Sequence, residues 1–94
     1  MDRKTLIERL EAQLKVFDAE IQKLSAKAEK VRVDLKAELQ DQIRNLTEQR
    51  NSARKTLEEL REKGGDAWEE LREGAEAAWK ELKSGIDRAM NQFK

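Results

Sequence analysis

No glycine or proline occurs in residues 1–63, and through that stretch apolar side chains return at steps of three and four. The series is Ile7, Leu10, Leu14, Phe17, Ile21, Leu24, Ala28, Val31 and Leu35, then Leu39, Ile43, Leu46, Ala53, Leu57 and Leu60. Such spacing gathers these side chains on one narrow stripe of an α-helix, the stripe by which helices pack on each other. Nothing in the backbone chemistry asks the helix to stop. The pattern therefore predicts one coiled-coil helix over residues 1–63, a rod on the order of 90 Å. Asp2 is placed to cap its start.

The stripe has two irregularities. From Val31 the steps are four, four and four, through Leu35 and Leu39 to Ile43, a stutter that locally unwinds a left-handed supercoil. Arg50 then falls where the rhythm wants an apolar residue. It is read as snorkelling, its stem along the seam and its guanidinium in water. The competing role is a polar group that fixes register or partner.

Gly64 and Gly65 end the long helix: a basic last turn precedes a glycine suited to a left-handed C-cap. Asp66, with Glu69 three residues on, has the form of a capping box for a second helix over residues 66–94. That helix carries an eleven-residue repeat, Ala67-Trp68-Glu69-Glu70-Leu71 echoed by Ala78-Trp79-Lys80-Glu81-Leu82. Eleven residues are close to three turns, so repeat-related residues share one face. Trp68, Leu71, Ala75, Trp79, Leu82, Ile86 and Phe93 form a broad apolar arc for packing. Gly74 and Gly85 lie at its edge, where they permit close helix approach or loosen the helix.

Composition narrows the chemistry. His, Cys and Tyr are absent, which removes the usual nucleophile, general base and soft metal ligands. No catalytic residue, cofactor site or metal site is expected, and the chain reads as a non-enzyme. Charged residues make up 43% of the chain, yet twenty basic and twenty acidic groups cancel and interleave. No nucleic-acid partner is expected from such a field. No hydrophobic run of signal or transmembrane length occurs, and the expectation is a soluble, cytoplasmic protein. The arc bearing both Trp residues could serve an interfacial membrane helix. However, seven acidic residues against five basic ones in residues 64–94 favour packing on protein.

Residues 1–14 and the Ala-Trp repeats within residues 65–82 resemble a family of short bacterial coiled-coil proteins, found also in cyanobacteria and sometimes labelled stress-response. The resemblance spans essentially the whole chain and is most distinctive at the repeats. It implies a bacterial cytoplasmic protein with a stress-associated role, and it carries over no catalytic residues.

These readings combine into an all-α helical hairpin: a long helix, a Gly-Gly turn and a shorter antiparallel helix. The second helix, about 42 Å long, covers less than half of the first. Ile7, Leu10, Leu14, Phe17, Ile21, Leu24, Val31 and Leu35 would then be a subunit interface, with an antiparallel homodimer as the favoured assembly and a partner protein's helix as the other candidate. The structural alternative is a break near residues 28–34, which gives a three-helix bundle. The expected function is structural or interactive, through helix–helix assembly. Its alternative is a peripheral lipid- or membrane-binding role for the second helix.

Overall fold

In the computed structural model, which describes residues 2–63 and 65–93, the chain is all-α and contains three helices in place of two. They are α1 (Arg3–Ala28), α2 (Val33–Glu62) and α3 (Asp66–Gln92). Each reverses on the one before, and all three pack along a rod of 51 × 17 × 17 Å. A helix of 30 residues spans about 45 Å, so α2 alone runs nearly the length of the molecule.

The expected continuous helix is broken at residues 29–32. Glu29 N–H donates to Ala26 O at 3.3 Å and Lys30 N–H to Lys27 O at 2.9 Å, tightening the last turn of α1. Arg32 then adopts extended backbone (φ −59°, ψ 149°) and α2 begins. Among the described residues, no non-glycine residue has positive φ. The corner is built from conformations open to any residue, so it needs no glycine or proline. The stutter at Val31–Leu35–Leu39 is the change of phase between two helices.

Burial decides in favour of the break. A continuous helix would keep about four more backbone hydrogen bonds, each worth ~0.5–1.5 kcal/mol net. Folding back buries Leu6, Leu10, Leu14, Phe17, Ile21 and Leu24 inside the chain, at ~1.5–3 kcal/mol each. The second sum is several times the first. The stripe read as a subunit interface is therefore covered by the chain's own α2 and α3. Ile7 and Val31 are half-buried at its edge, and Leu35 is exposed. The exposed seam that required a second subunit does not exist in the bundle.

Asp2 caps α1 as its position predicts, accepting from Thr5 N–H at 2.7 Å. The Thr5 backbone hydrogen bond, then that of its side chain, holds the Asp2 carboxyl below its ordinary value. A depressed carboxyl stabilises the fold above its unfolded pKa and loses that contribution as pH falls through the folded one. Asp2→Asn, which keeps a capping oxygen, should flatten the acid limb of melting temperature against pH. An unchanged limb would show that this carboxylate does not titrate with folding.

At the second turn, Gly64 lies outside the described residues, so its left-handed C-cap is not placed. Gly65 has φ 69°, ψ −146° and is itself the N-cap of α3, a backbone conformation open to little but glycine. The expected capping box is absent. Asp66 is already the first residue of the helix, and Glu69 pairs with Arg72 at 2.8 Å. The pair raises the Arg72 pKa, Glu69 being the main cause.

The two helical glycines differ. A Cβ on Gly74 would meet nothing within 4 Å, whereas one on Gly85 would lie 2.9 Å from Leu46 Cδ2. Gly85 thus permits close approach of α2 and α3, and Gly74 only loosens its helix. Gly74→Ala should stabilise by ~0.5–1 kcal/mol. Gly85→Ala should gain less, because Leu46 must shift. Equal urea midpoints for the two variants would contradict the close approach.

Candidate interaction surface

The corner at residues 29–32 gathers most of what the bundle leaves uncovered. Of the large apolar residues exposed among those described, Val33 (89%) and Leu35 (37%) lie here, and Val16 stands alone on α1. Val31 is half-buried and packs against the core beside buried Ala28. Lys30, Arg32 and Lys36 surround them, all exposed. Arg32 Nε lies 3.3 Å from Asp34, whose carboxylate also suits the positive start of α2. Apolar residues sit here because α2 enters the core only at Leu39, one turn beyond Leu35.

The opposite end is closed by Arg3. Its Nη2 donates to Leu60 O at 2.8 Å and Arg61 O at 3.0 Å, two carbonyls in the last turn of α2. The same guanidinium stands 5.9 Å from the Trp68 ring centroid, so one side chain joins all three helices. Trp68 and Leu71 are half-buried, while Ala75, Trp79, Leu82, Ile86 and Phe93 are buried. The predicted arc of the last helix is thus brought together, facing inward. Trp79 Nε1 donates to Leu10 O at 3.0 Å, a buried bond between α3 and α1. Trp68 Nε1 is buried and has no hydrogen-bond partner among the described residues.

Arg50 does not simply snorkel. Its Nε lies 2.9 Å from Asp18 Oδ1 on α1, and Arg54 Nη2 lies 3.6 Å from the other carboxylate oxygen. The Arg50–Asp18 contact is off the N–H axis, so both atoms are buried without a well-directed hydrogen bond and the attraction is ionic. Asp18 and Arg3 escape a reading by periodicity. Their one trace is chemical: a basic residue in the seam calls for a carboxylate at the edge of the helix facing it, and Asp18 follows Phe17 there. A double-mutant cycle with Asp18→Leu and Arg50→Leu should give a coupling of ~0.5–1.5 kcal/mol, with the double variant close to the parent. A coupling near zero would mean that solvent screens the pair.

The remaining relief consists of open grooves between helices, such as the one lined by Gln42, Gln49, Gly85 and Arg88. Among the described residues, no cluster of three or more Asp and Glu side chains is disposed to hold a metal ion. No described helix is long and apolar enough to cross a membrane. No family model matches the chain, and neither the curated proteins nor the solved structures contain a match.

Proposed function

We propose that this protein is a non-enzymatic helical interaction module that acts by packing its helices against other helices, first those of a second copy. The observation that carries this reading is the corner, where Val31 is half-buried and Val33 and Leu35 are exposed, while Val16 is the other large apolar side chain exposed among the described residues. An antiparallel homodimer fits a single small patch of this kind, because a twofold axis places the patch against itself. The lack of His, Cys and Tyr supports the non-enzymatic part. A stress-associated role follows from the family resemblance alone.

Light scattering on samples refolded from denaturant over a range of concentrations tests the reading. The mass should rise above that of one chain as concentration increases, and Leu35→Glu, at an exposed position in the first turn of α2, should abolish the rise without loss of helicity. A mass of one chain throughout sinks self-assembly.

The lipid-binding alternative stands second. It would require the α3 arc to leave the bundle, exposing Trp79 and breaking its bond to Leu10. Tryptophan emission that shifts blue with anionic vesicles would bring it forward.

A further inference from the structure

We propose that α1 is an exchangeable element: the corner at residues 29–32 straightens, α1 and α2 join in one helix, and two copies trade their α1 helices to form an antiparallel dimer. This rests on the self-assembly reading above and specifies its mechanism.

Three observations carry it. First, the corner has no conformational lock. It holds no glycine or proline, Glu29 is already helical (φ −75°, ψ −19°), and Arg32 departs from helix chiefly in ψ. Restoring helical ψ there adds backbone hydrogen bonds that the corner forgoes. Second, the packing of α1 is antiparallel to α2 in the monomer and remains antiparallel to the partner's α2 after exchange. Every buried contact of α1, including the Asp18–Arg50 pair and the Trp79–Leu10 bond, can be remade between chains. Two three-helix bundles then stand end to end, each with one borrowed helix.

Third, exchange supplies a cover for the uncovered corner. The ion pairs that set α1 against α2, Asp18 with Arg50 and Arg54 and Glu11 with Arg61, have midpoints at residues 34 and 36, so the two straightened segments cross close to Leu35. Val31 and Leu35 fall on one face of the straightened helix, continuous with Ala28 and Leu39, and meet the same face of the other copy. The apolar steps of three and four from Ala28 to Leu39 let the stripe continue through a straightened corner, with the stutter as a local change of phase. The three-helix bundle is the same set of contacts closed within one chain.

Closure within the chain avoids the entropy of association and is favoured at low concentration. Opening requires α1 to leave the core, so the two forms interconvert no faster than the chain unfolds. The proportion of dimer is then set by concentration during folding and persists after dilution.

Val33→Pro tests the hinge. Val33 is the first residue of α2, is 89% exposed, and follows an extended residue. Proline suits that position in the bundle. In the straightened helix it would be internal, where each proline costs roughly a hundredfold and two hinges on the order of ten-thousand-fold in the dimerisation constant. The full chain and the variant are unfolded in denaturant, refolded at roughly 1 mM and roughly 1 μM, diluted, and weighed by light scattering. The expected result is a persistent dimer from concentrated refolding of the parent, and monomer with full helicity from Val33→Pro at both concentrations. A dimer that survives Val33→Pro overturns exchange while leaving self-assembly standing. A parent that is monomeric under both conditions overturns both.

Discussion

Replacing Leu14 and Ile21 together by Lys is expected to unfold the chain at every concentration. Both residues are buried in the monomer, at 6% and 7% exposure. Each loses ~2–5 kcal/mol of apolar burial, and each introduces an ammonium group with no partner in the core. A domain of this length has roughly 5–14 kcal/mol to lose, so two such changes consume most or all of it. Far-ultraviolet circular dichroism should show helicity collapsing in dilute and concentrated samples alike. The hairpin architecture predicts a different outcome, dissociation to a monomer with the second turn intact. A helical, monomeric double variant would return the N-terminal seam to a subunit interface.

Trp79→Ala should cost ~3–5 kcal/mol, the largest effect expected from a single truncation here. Trp79 is 3% exposed and fills the space between α3 and α1. Trp79→Phe separates the two contributions. It keeps most of the ring's apolar burial and loses the bond from Nε1 to Leu10 O, which is worth ~0.5–1.5 kcal/mol. Urea denaturation of the two variants should therefore show a large and a small fall in midpoint, with similar slopes. A small effect in Trp79→Ala would mean that the arc of α3 is only loosely seated. The lipid-binding alternative would then gain, since it needs that arc free.

Helices and their buried faces could be read from the sequence because both are local. Three-and-four spacing needs no partner to be recognised, and it identified Leu10, Leu14, Phe17, Ile21 and Leu24 on α1 and Ala75, Trp79, Leu82 and Ile86 on α3, all of which are buried. The second turn was legible for a related reason: a positive φ demands glycine, and Gly65 supplies it. Its cap was misassigned because Gly65 occupies the cap position itself, which leaves Asp66 inside the helix and Glu69 free for Arg72. The first turn carried no such mark. Its residues use helical and extended backbone that any side chain adopts, and only the stutter between Val31 and Leu39 recorded the phase change.

What covers the seam was a matter for the tertiary structure alone. Periodicity states that a stripe will be buried, and it is silent on whether the cover lies in the same chain or another. The corner at residues 29–32 settles that within the bundle by exchanging a few helical hydrogen bonds for the burial of six large side chains. The partners of Arg50 and Arg3 were decided in the same way, since Asp18 lies 32 positions from Arg50 and the Leu60 carbonyl 57 from Arg3. Local chemistry determined which faces of this chain are apolar. Chain reversal, driven by the removal of those faces from water, determined what each of them meets.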